Sequence, residues 1–477
     1  MGGLFAILDI AKRTLQNNQI QIQTASHNIS NADSKTYARQ QAVLVTNPVL
    51  PVNNAGWAGM GAKVDRITQQ RDQFIEQQLM GSSSSGAYYD TKSARLSTVS
   101  AYFADDGEHA VSQALGQFWD AWEALNQNPG GLAEQTGVTQ ATKDLCTTIQ
   151  QTYNSVTDFA ATTENEIKDT IPGANSLLTD IASYNDQIKR IEYNGQTAND
   201  LRDLRYQALT KLSELAPVKS QEEADGTLTI SLSDYSSNVT LVSGNQAGSM
   251  VYDDVNHRMT YSDSAGTAYP IPPEPDPPPR NELSGGKLGA LLDVYGSTGV
   301  SHDLSFALSS PNDPTMTYLD RLNTLAAAVI TQVNGVHTQN GASDVFDAGV
   351  LVSTFKASDI QVDPNFTPDA TEASNIADLQ NLKLPAQPGD PDLGNSTFGE
   401  YLSNIQQRIG MDQQNAQVRG KFQDALYQQL QAGQQSVSGV SVDDEMIDLL
   451  KFQQVYQAAA KLVHQSATLL DSVIQMV

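Results

Sequence analysis

The chain has 477 residues, enough for two to four domains with a substantial core. Its 28 lysines and arginines face 54 aspartates and glutamates, a net charge of −26 that repels phosphate backbones and anionic lipid, so neither nucleic acid nor membrane is an expected partner. The single cysteine, Cys146, excludes an intramolecular disulfide and suits cytosolic residence or export in an unfolded state. The first thirty residues lack the basic cap and unbroken apolar core of a secretory signal, and no later run approaches about eighteen apolar residues. Any exit from the cell is therefore expected by a route other than the general one.

From Leu4, the positions Leu8, Ala11, Leu15, Asn18, Ile22, Ala25 and Ile29 follow in alternating steps of four and three. The spacing predicts a long helix with a heptad seam, broken only by Asn18. Residues 47–61, rich in Pro, Gly and Asn, read as an extended crossing loop. A helix from about Arg71 to Met80 then meets Gly81-Ser82-Ser83-Ser84-Ser85-Gly86, which is expected to be a hinge. Leu115, Phe118, Trp119, Trp122 and Leu125 share one helical face, a core pattern, and Pro129-Gly130-Gly131 ends that helix.

Residues 138–216 are helical in pattern, interrupted at Asn194-Gly195 and closed by Pro217. Leu228, Ile230 and Leu232 then alternate with Thr and Ser, and 239–242 is another short β-like run. Seven prolines between Pro270 and Pro279 predict a stiff, extended exit strut. Helical spacing returns at Leu319, Leu322, Leu325, Ala326, Val329 and Val333, residues 341–395 are mixed and loop-rich, and the last helices begin near Thr397. There a second seam runs through Leu449, Phe452, Tyr456, Ala459, Val463, Ser466, Leu470, Val473 and Val477, interrupted only by Ser466.

A heptad seam needs a facing helix to receive its side chains, and the simplest partner for each terminus is the other. The predicted fold is mainly α with a small β insertion. It is elongated and multidomain, with the terminal helices paired as a coiled coil. Residues 1–45 plus 438–477 are expected to form the terminal domain, 46–216 plus 284–437 a helix-rich middle, and 217–283 a small outer β domain with a proline-rich exit. The terminal pair is expected to be marginal in a free monomer and firm where neighbouring copies cover it, with Asn18 and Ser466 helping to set register.

The six histidines show no paired spacing, so no metal site is expected. Gly285-Gly286-Lys287 fails as a phosphate loop because Leu288 follows the lysine and Asn281 stands at the first glycine position. His302-Asp303 has no nucleophile motif to serve. The expectation is a protein without catalytic residues, cofactor or metal.

The run Ser26-His27-Asn28-Ile29-Ser30-Asn31, followed by Ser34-Lys35-Thr36-Tyr37-Ala38-Arg39-Gln40, resembles the N-terminal signature of flagellar axial proteins, with Lys35 and Thr36 where that signature has proline and glycine. Asn28 and Asn31 can cap backbone groups at the helix end, and Tyr37 and Arg39 can reach a neighbouring surface. Ser438-Gly439-Val440-Ser441-Val442-Asp443-Asp444-Glu445-Met446 and Leu450-Lys451-Phe452-Gln453-Gln454-Val455-Tyr456 are similar to the hook-filament junction family of those proteins. So are Asn185-Asp186-Gln187-Ile188 and the stretch from Gly195 to Arg205. The resemblance implies a structural protein, secreted through the flagellar export apparatus, that forms a ring at the distal hook end. Its implied partners are copies of itself, the hook protein, a second junction protein, and a cytosolic export chaperone on the C-terminal helices. A hook- or filament-type subunit, or a secreted enzyme or adhesin with flagellar-type export ends, are the alternatives.

Overall fold

A computed structural model describes residues 2–34, 36–48, 50–51, 57–104, 110–233, 239–255, 258–271, 285–299, 316–351, 355–384 and 391–475. Helix α1 (Gly2–Ser30) leads into strands β1 (Gln40–Thr46), β2 (Leu50–Pro51), β3 (Trp57–Ala58) and β4 (Ala62–Gln69). Helices α2 (Gln73–Tyr102), α3 (Val111–Gln127), α4 (Leu132–Glu192) and α5 (Asn199–Leu215) follow. The β region comprises β5 (Val218–Glu222), β6 (Leu228–Leu232), β7 (Thr240–Ser243), β8 (Gln246–Ala247), β9 (Ser249–Asp253), β10 (Arg258–Ser262) and β11 (Ala268–Ile271). The chain returns to helix in α6 (Gly286–Thr298), α7 (Tyr318–His337), α8 (Ala373–Asp378), α9 (Phe398–Ser438) and α10 (Val442–Gln475).

The 61 residues of α4 make a rod of about 90 Å at 1.5 Å per residue, which sets the long dimension of the helical body. Two hydrophobic cores lie along it. The first joins the aromatic face of α3, the N-terminal half of α4, α7, α8 and the start of α9, with Trp122, Phe118, Phe346 and Phe398 fully buried. The second joins the C-terminal half of α4, α5 and α6 to the strands, through residues such as Leu178, Leu212, Ile230, Leu241, Met259 and Leu291. The mainly helical class with a small β insertion holds, and the terminal helices pack along each other.

Several sequence expectations are corrected. The Gly81–Gly86 run is no hinge: it lies inside α2, which packs along α9. Small side chains let the two backbones approach, as Ser82 Oγ donates to the Gln423 carbonyl at 3.0 Å. A Cβ on Gly420 of α9 would sit 2.7 Å from Asp90 Oδ1 of α2. Low intrinsic helix propensity is outweighed by this close packing.

The stretch 47–61 connects the two strands of an antiparallel ribbon, β1 against β4, with Gln40 opposite Gln69 and Thr46 opposite Ala62, and within it β2 pairs with β3. The ribbon extends past residue 45, the expected boundary of the terminal domain. The β region is a four-stranded sheet in the order β5-β6-β7-β8 and a three-stranded sheet in the order β11-β10-β9. Each sheet is too small to enclose a core, and both bury their apolar faces against α4, α5 and α6. The strands are therefore a layer of the second core and not a separately cored domain. The proline strut lies outside the described residues except Pro270 and Ile271, which belong to β11. Gly286 opens α6 with φ +69°, where a Cβ would meet the Leu215 backbone at 2.5 Å, and Lys287 pairs with Glu166 at 2.9 Å. That glycine serves helix packing.

Candidate functional site

The end of α1, the ribbon, and the start of α10 meet in one polar knot. Asn28 is buried at the last turn of α1. Its Nδ2 donates to the Gln40 carbonyl at 2.9 Å, while its Oδ1 accepts from the Gln40 N–H at 3.0 Å and the Tyr37 hydroxyl at 2.7 Å. The side chain mimics a strand partner and turns the chain from helix into β1. Burial, with the nearby Asp203, Asp200 and Glu445 charges, pushes the Tyr37 phenol well above its ordinary range, so it stays a neutral donor. Asn31 caps the helix end by donating to the His27 carbonyl at 3.0 Å.

Arg39 ties the two ends of the chain together. Its backbone N–H donates to the Ser438 carbonyl at 2.9 Å, closing the end of α9. Its Nε donates to Glu445 Oε1 at 2.5 Å, and its guanidinium lies 3.7 Å from Asp448. The Glu445 carboxylate is almost fully buried, so removing Arg39 would strand a charge away from water. Since the end of α1 thereby sits beside the start of α10, the packed helices run antiparallel.

On α1, Ala11, Asn18 and Ala25 are buried, and Leu8, Leu15, Ile22 and Ile29 are half-buried. On α10, Ala459 and Ser466 are buried, Leu449, Phe452, Val463 and Leu470 half-buried, and Tyr456 is 39 % exposed. The side chains of Leu4 and Val473, and all of Val477, lie outside the described residues. The Asn18 Nδ2 donates within its own helix, to the Thr14 carbonyl at 2.7 Å.

Beyond this seam, α10 carries further apolar residues among its exposed polar ones. Val455, Leu462 and Leu469, at heptad spacing, form a second and exposed stripe.

Sequence reading missed the partners that anchor the knot to the helical body. His27 Nε2 lies 3.1 Å from Asp200 Oδ1, Gln40 Nε2 donates to the same oxygen at 3.0 Å, and Asn199 Nδ2 donates to Gln40 Oε1 at 3.2 Å. Thr197 and Asn199 donate to the Ile67 carbonyl of β4 at 2.6 and 3.0 Å. Their only sequence signal is the family-like stretch from Gly195 to Arg205, whose role needed the ribbon to become visible.

Beside the knot, a cleft of about 530 Å³ opens between β4, α2, α5 and β5. Its charges satisfy one another. Arg71 pairs with Glu76 and Asp203 and lies 4.5 Å over the Tyr206 ring. Arg202 grips both oxygens of Glu192 at 2.8 Å and pairs with Glu222. Burial pushes the Arg205 guanidinium down to about 10, where it donates to Asn185 Oδ1 at 2.8 Å and the Gly226 carbonyl at 2.7 Å. This is an ion-pair lattice that fixes the α4–α5 turn. Among the described residues, no three His, Cys, Asp or Glu are grouped to hold a metal ion, and no helix is long and apolar enough to cross a membrane. His302 and Asp303 lie outside the described residues.

Residues 96–346 match the family model for the helical domain of flagellar hook-associated protein FlgK, and residues 431–476 match the C-terminal model of the flagellar basal body rod FlgEFG proteins. The flagellar hook-associated protein 1 of Bacillus subtilis is 24 % identical over 99 % of this chain and 98 % of its own length. That of Salmonella typhimurium is 22 % identical over 99 % and 100 %. Among solved structures, the flagellar hook junction protein FlgK from Burkholderia pseudomallei aligns at 21 % identity with a TM-score of 0.45, over 57 % of this chain and 46 % of that one. With the helical-domain match spanning more than half of its residues, this chain belongs to the flagellar hook-associated protein FlgK family.

Proposed function

We propose that this chain is a structural subunit of the extracellular flagellum that forms a ring at the distal end of the hook and joins hook to filament. The observation that carries the self-assembly is the second stripe of α10. Exposed apolar residues at heptad spacing call for cover, yet α1, the helix that packs along α10, leaves this stripe open among the described residues. Copies arranged around an axis would cover Val455, Leu462 and Leu469 and create an inner layer from the paired termini. The helical body would form the next layer, with the β region at its far end.

On this reading the terminal pair gains its full stability only on assembly, and Asn18 and Ser466 trade stability for register. The chain would leave the cell unfolded through the flagellar export apparatus, with a cytosolic chaperone holding the C-terminal helices until then. It would contact the hook protein below and a second junction protein above, and would carry out no catalysis.

Co-sedimentation with isolated, filament-free hooks, combined with imaging of the hook tips, tests the proposal. The intact chain should bind only at the distal tip, and deletion of residues 1–32 should abolish binding. Equal binding of both forms, or of neither, would sink it. The rod-type match over residues 431–476 favours a second reading, a more general axial subunit; long polymers in place of short rings would select it.

A further inference from the structure

Helix α9 carries an apolar stripe that its pairing with α2 leaves open. Met411, Val418 and Phe422 are 55, 60 and 65 % exposed, and their spacing of seven and four puts them on one face. The opposite face of the helix supplies Ile405, Ile409, Ala416 and Gly420 to buried packing. Exposed Arg419 and Lys421 border the stripe, and Arg408 lies at its upper end. Lys421 and Arg408 enter no ion pair among the described residues, and Arg419 engages only the uncharged Tyr89. Three cations around one stripe stand out on a chain of net charge −26.

The first turns of α10 carry the complement. Val442, Met446 and Leu450, spaced by four, are 40, 53 and 56 % exposed. Asp443 borders them, exposed and without an ion pair among the described residues. The stripe on α9 is about 16 Å long and that on α10 about 12 Å, at 1.5 Å per residue. The two cannot meet within one chain, because the seventeen residues from Phe422 to Ser438 are continuous helix, a rise of about 24 Å.

We propose that the first turns of α10 in one copy dock on the α9 stripe of a neighbouring copy, with Asp443 turned towards the cations Arg408, Arg419 and Lys421 that border it. The contact joins two different surfaces, so it propagates from copy to copy and closes only as a ring or a helical turn. Apolar residues supply the adhesion and the charges fix the direction of docking. The inference rests on the self-assembly proposed above.

Charge-pair variants and cysteine capture test it together. Phe422→Glu and Met446→Lys each replace an exposed side chain, so the fold is retained, and each should weaken self-association measured by sedimentation at least about tenfold, as truncation of a central anchor does. The double variant should recover most of that loss by placing opposite charges across the contact. A mixture of Phe422→Cys chains with Met446→Cys chains should give a mixed disulfide dimer on oxidation of the assembled protein, with little background because native Cys146 is buried. If wild-type protein assembles at hook tips but the single variants associate normally, or the double variant recovers nothing and no mixed dimer forms, this contact is wrong while the junction role stands. If wild-type protein neither self-associates nor binds hook tips, the junction reading fails and this contact with it.

Discussion

Replacing Asn185 with alanine should break the join between helices and strands in the second core. The carboxamide is fully buried and uses all four of its hydrogen-bonding positions. Its Nδ2 donates to the carbonyls of Leu228 at 2.9 Å and Gly244 at 2.8 Å. Its Oδ1 accepts from the Leu228 N–H at 3.0 Å and from Arg205 Nη1 at 2.8 Å. One side chain on α4 thus holds β6, the turn between β7 and β8, and α5.

Alanine leaves the Leu228 N–H and two carbonyls without that partner, while Arg205 keeps the Gly226 carbonyl. At about 1 kcal/mol net per bond, and about 1–3 kcal/mol for each buried group left unpaired, the loss should be roughly 3–6 kcal/mol. Amide exchange at Leu228, read by mass spectrometry or NMR, should accelerate on the order of a hundredfold or more. Trp119 and Trp122 belong to the first core, so their fluorescence should report a smaller change than backbone exchange in β6. A loss under about 1 kcal/mol with unchanged exchange at Leu228 would refute the reasoning, since solvent would then replace the carboxamide without cost.

Ser82→Leu should force α2 and α9 apart and destabilise the helical body by about 1–3 kcal/mol, measurable as a lowered urea midpoint; tolerance of leucine would show that the small-residue contact is not close. Gly439→Ala places a Cβ 2.3 Å from the Gln435 carbonyl oxygen, so the end of α9 must shift, and hydrogen exchange in the first turn of α10 should rise while that in α4 stays fixed. Burial pushes the Cys146 thiol from 9.0 to about 12, so a thiol reagent at pH 8 should label it only after unfolding, and labelling of native protein at the unfolded rate would contradict its placement. Burial pushes the Glu192 carboxyl up, but hydrogen bonds from Arg202, its charge, and the Ala198 amide outweigh that and hold it below its ordinary 4.5. A depressed carboxyl stabilises the fold above its unfolded pKa and loses that contribution as pH falls through the folded one. Acid titration should therefore weaken the α4–α5 turn below about pH 4.5, and Glu192→Gln should flatten that part of the profile; an unchanged profile would remove Glu192 from the account.

Periodic features were legible in the residues alone. The heptads of α1 and α10 and the aromatic face of α3 depend on neighbours three to seven positions away, and local spacing encodes them directly. The Ser-rich run was misread because its local preference is for flexibility, while its helix is held by α9, more than 330 residues further along. The strands between Val218 and Ile271 were recognised as strands, but their sharing of a core with α4, α5 and α6 depends on which apolar faces meet in space. Likewise Asn28, Tyr37, Arg39 and Gln40 were visible as a motif, whereas Glu445 and Ser438 became partners of Arg39 only when the chain's two ends met, and Asp200 a partner of Gln40 only when α5 packed beside them. Short-range periodicity fixes which segments are helices and which stripes need cover; polar contacts between distant segments carry no period, so folding alone selects those pairs.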